Sequence, residues 1–287
     1  MNKLIFLFTA LIFISCESED SADDSNNSSN SDSSVLVKTI TTTTNDGDYS
    51  NVITEEYFYE GNKIERKLEY RSGSDYSNSN EVYRTYDYTY ANNKISNVKR
   101  YDLDNNLNYE CIFNYNSNGN LVYVSEEWFY GSNYEEKSMY SFDYDGNYIL
   151  NCMTDTSGSE VYDSYVKYTA NSNSDITFAE SIQSCSFSAP RSTGNEDGSS
   201  NLEYDTNPYP FKNVTGNNFI ISNFADIFTY ADLYGHYNNV TKIIWLDIDG
   251  QYSSETTYDY NSDNYPRNVQ IYDEDGDIYE TVNIEYY

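Results

Sequence analysis

Tyr86-Asp87-Tyr88-Thr89-Tyr90 places aromatic side chains on one parity and polar ones on the other, the period-2 alternation by which a strand buries one face and wets the other. The pattern returns in Tyr109-Glu110-Cys111-Ile112-Phe113-Asn114-Tyr115 and in Tyr140-Ser141-Phe142-Asp143-Tyr144. Turn-forming residues follow the bursts, as in Asn116-Ser117-Asn118-Gly119-Asn120 and Asp145-Gly146-Asn147, so the chain reads as a series of β-hairpins. The last aromatics before successive turns, Tyr59, Tyr90, Tyr115, Tyr144 and Tyr168, are 31, 25, 29 and 24 residues apart. Units so unequal cannot stack in register as a solenoid, which leaves a meander.

The expected fold is therefore all-β: an antiparallel meander of hairpins forming a curled or partly closed soluble sheet over residues 35–287. One short helix is predicted over 222–234, where Phe224, Ile227, Phe228 and Ala231 recur at helical spacing and Ser222 or Asn223 stands ready to cap. A lipid-spanning barrel is disfavoured. Glu56, Arg84, Asp87, Glu110, Asn114 and Asp143 fall on the assigned outer parities, where a membrane barrel needs an apolar band about 25 Å tall.

Composition narrows function. There are 34 Tyr against 13 Phe and 2 Trp, so the large side chains are mostly amphipathic ones that cover a sheet while keeping a hydroxyl wet. The formal charge of -31 repels phosphates, and nucleic acid is excluded as a partner. Asn2-Lys3, the apolar run Leu4 to Ile14 and then Ser15-Cys16 form a signal segment, too short to span a bilayer. Residues 1–15 are expected to be removed. The Ser-, Asn- and acid-rich stretch 16–34 cannot bury enough to order itself, and reads as a tether.

Several segments carry resemblances. Phe13-Ile14-Ser15-Cys16 resembles the lipobox of bacterial lipoproteins, which implies lipidation at Cys16 and a durable membrane anchor. Glu17-Ser18-Glu19-Asp20-Ser21-Ala22-Asp23-Asp24 is similar to the acidic segment of surface-exported Bacteroidetes lipoproteins, and Asp20-Ser21-Ala22 to an O-glycosylation acceptor at Ser21. Tyr115 to Leu121 and Tyr144 to Ile149 look like degenerate YD (Rhs-type) repeats. Tyr204-Asp205-Thr206-Asn207-Pro208-Tyr209-Pro210-Phe211-Lys212, Tyr237-Asn238-Asn239-Val240-Thr241-Lys242-Ile243 and Tyr258-Asp259-Tyr260-Asn261-Ser262-Asp263-Asn264-Tyr265-Pro266 together resemble a Bacteroidetes lipoprotein family of unknown function with a porin-like β fold. The resemblance implies a fold and an outer-membrane habitat, and no activity.

Candidate sites are few. Asp247-Ile248-Asp249-Gly250 and Asp273-Glu274-Asp275-Gly276-Asp277 crowd carboxylates into turns as Ca²⁺ requires, but neither has EF-hand spacing; otherwise no cofactor is expected. His236 is the only histidine and has no nucleophile elbow beside it. Glu55-Glu56, Glu126-Glu127 and Glu135-Glu136 are too common a pattern to mark a glycosidase. Cys111, Cys152 and Cys185 allow at most one disulfide, and their parities direct all three at the packed face. Trp128 and Trp245 are the candidates for stacking on a sugar. The expected function is a non-catalytic, lipid-anchored protein facing the cell exterior, with a binding or structural role and a glycan or an outer-membrane protein as partner. The alternative is a glycan-binding accessory of a polysaccharide uptake system.

Overall fold

A computed structural model describes residues 35–287 apart from 47–48, 75–80, 130–134, 158–159, 193–197, 218–223, 225–236 and 247–249. Each predicted hairpin is present. The strands are β1 (Val37–Asp46), β2 (Tyr49–Glu60), β3 (Lys63–Gly73), β4 (Val82–Ala91), β5 (Lys94–Tyr101), β6 (Leu107–Tyr115), β7 (Leu121–Phe129) and β8 (Glu135–Asp145). The second half adds β9 (Tyr148–Ser157), β10 (Glu160–Ala170), β11 (Ile176–Ser181), β12 (Ser199–Pro208), β13 (Asn238–Leu246), β14 (Gln251–Tyr260), β15 (Pro266–Tyr272) and β16 (Ile278–Tyr286).

The sheet closes into a barrel of these strands in chain order, which corrects the expectation of a curled or partly closed sheet. Pairs from Val37 with Tyr286 to Thr44 with Glu280 join β1 to β16, so neither keeps the unpaired edge that an open sheet would expose. Alternation within a strand reports its two faces and says nothing of whether the first and last strands meet. Of the helix expected over 222–234, all but Phe224 lies outside the described residues, and Phe224 itself is in α-helical conformation.

Five turns share one design. Asp102, Asn116, Asn171, Asn261 and Asp273 each accept, through Oδ1, the main-chain N–H groups of the residues two and four further on, at 2.8–3.1 Å. The residue three further on takes a positive φ: Asn105, Gly119, Ser174, Asn264 and Gly276. Glycine and asparagine tolerate that conformation best, which explains how Asn264 serves there as well as Gly119 and Gly276 do in their turns.

A second repeated device ties five even-numbered strands to the strand before them, at the end of the barrel where both termini lie, here the terminal end. Tyr115, Tyr144, Tyr204, Tyr258 and Tyr286 point inward and donate their hydroxyls to the carbonyls of Ile95, Leu121, Ile176, Val240 and Pro266 on the preceding strand, at 2.5–2.8 Å. Burial pushes the Tyr144 hydroxyl up to about 12 and holds Tyr204, Tyr258 and Tyr286 further above the ordinary range.

A ring of sixteen strands leaves a lumen that wall side chains alone cannot fill. Here the chain fills its own terminal end. The connection from β12 to β13 sends Tyr209, Phe211 and Val214 into the core, with Phe211 fully buried and its ring 5.1 Å from that of Tyr57. Gly216 passes so close to the β4–β5 turn that a Cβ would lie 3.0 Å from the Ile95 nitrogen. Phe224 stands deeper along the wall, against Tyr140 at 4.5 Å and Phe142 at 5.9 Å.

Outside, Arg66 pairs with Asp87, Lys99 with Glu110, Lys137 with Glu127, Lys167 with Glu180 and Lys242 with Glu255. Arg84, assigned to the outer parity from sequence, faces inward: it shares its parity with Tyr86, and the pairing with β3 is regular from Arg84 to Asp87. Cys152 also departs from expectation. It lies on the outer parity of β9, and the excursion after β11 crosses the wall there and forms the Cys152–Cys185 disulfide, with Leu150 and Ile182 buried beside it. A closed loop of 33 residues contributes about 3–4 kcal/mol in the chain-entropy account. Cys111 is buried inside as a free thiol.

Replacing Tyr286 by Phe removes the donor to the Pro266 carbonyl and is expected to cost about 1–2 kcal/mol, read from the urea midpoint. Because the clasp phenols stay neutral in the fold and ionise near 10 once released, their contribution is complete below pH 10. It is lost as pH rises through the folded values, so tyrosinate absorbance and unfolding should rise together above that pH.

Candidate functional site

From the terminal end to the opposite end, the mouth, the lumen holds three layers. The first is a clamp that fixes both ends of the inserted connection. Asp205 accepts the Asn239 main-chain N–H at 3.1 Å, the Asn207 N–H at 3.0 Å and the Tyr260 hydroxyl. Asn239 Nδ2 reaches the carbonyls of Asn207 and Pro208, both at 3.3 Å. Asp175, fully buried, accepts the Tyr237 N–H at 2.8 Å, and Asn213 donates to the Val35 carbonyl and to the Tyr265 hydroxyl. All three resembled segments meet in this layer.

The second layer is a belt of buried charge. Lys67 Nζ lies 2.6 Å from Glu55 Oε1, with both side chains at most 2% exposed, and Nζ stands 4.0 Å from the Tyr86 ring centroid. Tyr57 donates to the other oxygen of Glu55 at 3.1 Å. Glu69 accepts Arg71 Nε at 2.5 Å and the Tyr86 hydroxyl at 2.8 Å. Further round the wall, on β6 and β7, Glu126 accepts the Tyr109 hydroxyl at 2.5 Å, and that hydroxyl also reaches the Phe224 carbonyl at 3.1 Å. Charges this deep persist only when paired and hydrogen-bonded.

The third layer is a pocket at the mouth of about 360 Å³, lined by β10 to β14, with Val166, Tyr168, Ala179, Ser181, Ser200, Trp245 and Tyr252 pointing inward. Trp245 and Tyr252 are opposite partners on β13 and β14, with ring centroids 5.4 Å apart and planes 17° from parallel.

Of the two tryptophans singled out from sequence, only Trp245 borders a cavity described here. Trp128 packs at 5.3 Å on Tyr109, in the belt. Adjacent carboxylates prove to lie on opposite sides of the wall: Glu55 faces inward to Lys67, while Glu56 faces outward to the Tyr70 hydroxyl. Asp273 uses Oδ1 on the N–H groups of its own turn, a role that neutral Asn116, Asn171 and Asn261 fill elsewhere, so that turn needs no charge and no cation. Asp273 and Asp275 also border an outer recess with Glu255 and Tyr272. Among the described residues no three His, Cys, Asp or Glu side chains are grouped to hold a metal. Cys16, Ser21, His236, Asp247 and Asp249 lie outside the described residues. Tyr168, Ser200 and Tyr252 were missed. Only the register across five strands brings them to Trp245, and sequence reading had not recognised β11 as a strand.

No protein-family model matches this chain, and no curated protein does. The resemblance to YD repeats therefore rests on the sequence segments alone. Among solved structures, a porin-like protein from Bacteroides vulgatus aligns over 88% of this chain and 99% of its own, with a TM-score of 0.52 and 12% identity. A porin-like protein from Bacteroides uniformis covers 88% of this chain and 98% of its own at a TM-score of 0.40 and 13% identity. At such identity the first likeness establishes a shared porin-like barrel fold.

Lys67→Met strands Glu55 in the belt and is expected to lower stability by about 3–5 kcal/mol. The double variant Glu55→Gln with Lys67→Met should recover most of that loss in chemical denaturation, whereas equal losses would show that the pair is not the coupled unit.

Proposed function

We propose that this chain is a non-catalytic, lipid-anchored barrel of the outer membrane, displayed to the exterior, that binds a ligand at its mouth and conducts nothing through its lumen. The observation that carries the reading is the filled terminal end. Tyr209, Phe211 and Val214 are 1%, 0% and 5% exposed there, so the ring of strands is packed at that end in place of an open channel.

The outer wall supports anchoring over spanning. Arg66, Lys99, Lys137 and Lys242 lie within strands and pair outside the barrel. On a lipid-facing wall each would cost about 2–4 kcal/mol at mid-depth, which together rivals the roughly 5–15 kcal/mol stability of a whole domain. The lipobox-like Cys16 and the acidic tether supply an anchor that asks nothing of the wall. The porin-like fold shared with a Bacteroides protein supports an outer-membrane setting. A second reading, the glycan-binding accessory, is favoured by the position of Trp245 beside the mouth pocket.

Purified full-length protein added to planar bilayers is expected to give no conductance steps under conditions where a trimeric porin gives them; stepwise conductance would overturn the reading. In cells, Cys16→Ala should move the protein from the membrane fraction to the soluble one and abolish incorporation of labelled fatty acid.

A further inference from the structure

Inward-facing side chains of neighbouring strands form lateral rows, and one row in the mouth pocket has an unusual composition. Tyr168 on β10 is opposite Ala179 on β11, Ala179 is opposite Ser200 on β12, Ser200 is opposite Trp245 on β13, and Trp245 is opposite Tyr252 on β14. Aromatic walls thus flank two small residues. Tyr168 and Trp245 stand three strand spacings apart, about 14 Å at roughly 4.8 Å per strand, and only a methyl and a hydroxymethyl group occupy the floor between them. β11 has six residues where β10 has eleven and β12 ten, and three register pairs join it to β12, so the wall is lowest beside this gap. Tyr162, 54% exposed, points inward nearer the rim of β10.

The gap selects its ligand by size, polarity and charge. Its volume of about 360 Å³ is at the small end of the roughly 300–1,000 Å³ typical of small-molecule sites. A single flat heteroaromatic ring held on both faces needs walls about 7–8 Å apart, and here it would touch only one. A saccharide, apolar on its ring faces and polar at its edges, can stack on one wall and extend a hydroxyl-bearing edge or a second ring across the floor. The inward-facing side chains named in this row carry no charge, and Glu180, which borders the pocket, is paired with Lys167 on the outer parity. Ser181 and Ser200 offer hydroxyls at the floor. Tyr252 covers the indole from the β14 side, while the small residues lie on the β12 side.

We propose that this gap binds an uncharged pyranose saccharide of one or two rings. A sugar face stacks on Trp245 on the side away from Tyr252, Ser200 and Ser181 hydrogen-bond its edge, and Tyr168 closes the far wall. The proposal rests on the reading that the mouth binds a ligand, and its test separates the two. With two tryptophans in the chain, the Trp128→Phe variant reports on Trp245 alone. Acrylamide should quench that fluorescence; an unquenched indole would overturn both the mouth-binding reading and this proposal. Titration with maltose, cellobiose, mannobiose and galactobiose should give saturable changes with at least one of them. Calorimetry should then show that affinity weakens at least tenfold in Trp245→Ala and in Ser200→Leu, which fills the gap while leaving both rings in place, and is largely kept in Trp245→Tyr. Binding unaffected by both disruptive variants would overturn the site. An indole that is quenched by acrylamide but responds only to riboflavin, used as a flat heteroaromatic probe, or to no sugar in the panel, would overturn the saccharide class and leave mouth binding standing.

Discussion

The width of a closed sixteen-stranded ring is the constraint to which the rest of this structure answers. Once β1 pairs with β16, no strand edge remains, but the enclosed space is of the size that in porins holds water. Water-filled space provides no hydrophobic stabilisation, so the chain must carry its own filling. It does so with the longest connection of the barrel, whose entrance Tyr209-Pro210-Phe211 enters the core directly after β12. The wall contributes side chains long enough to meet it, such as Tyr57 and Tyr140.

This constraint explains the preference for tyrosine over phenylalanine. A ring on the inner wall must contact the filling, and near the terminal end it also lies over carbonyls at the starts of neighbouring strands. Phenylalanine satisfies the first need only. Tyrosine near the ends of β6, β8, β12, β14 and β16 does both, burying its ring and bonding the carbonyl of the strand before it. The Asx turns that follow Tyr115 and Tyr260 then reverse the chain without a buried unsatisfied amide.

Local alternation made the strands legible, and they stand close to where Tyr86–Tyr90 and its counterparts indicate. What was not legible depended on pairs distant in sequence. Closure depends on Val37 meeting Tyr286. The disulfide depends on an excursion that brings Cys185 to the outside of β9. β11 and the start of β12 were missed because Ile176–Ser181 is short and Ser199-Ser200-Asn201 is polar. Without those two strands the five-residue row at the mouth cannot be drawn, so Trp245 was visible as a residue and its site was not.

The segments that carry the family resemblance can now be given a physical role, and it is a structural one. Asp205, Asn207 and Pro208 from the first, Asn238 and Asn239 from the second, and Tyr258, Tyr260 and Tyr265 from the third fix the entry and exit of the lumen filling or brace the strands beside it. A likeness built on them reports how the barrel is kept full and is silent on what it binds. The row of Tyr168, Ala179, Ser200, Trp245 and Tyr252 lies outside all three segments, and it climbs obliquely from near the terminal end of β10 to the mouth ends of β12, β13 and β14. Filling the terminal end and recognising a ligand at the mouth therefore place separate demands on the sequence. The residues of the row and those of the clamp are different, so a change of ligand leaves the clamp's hydrogen bonds in place.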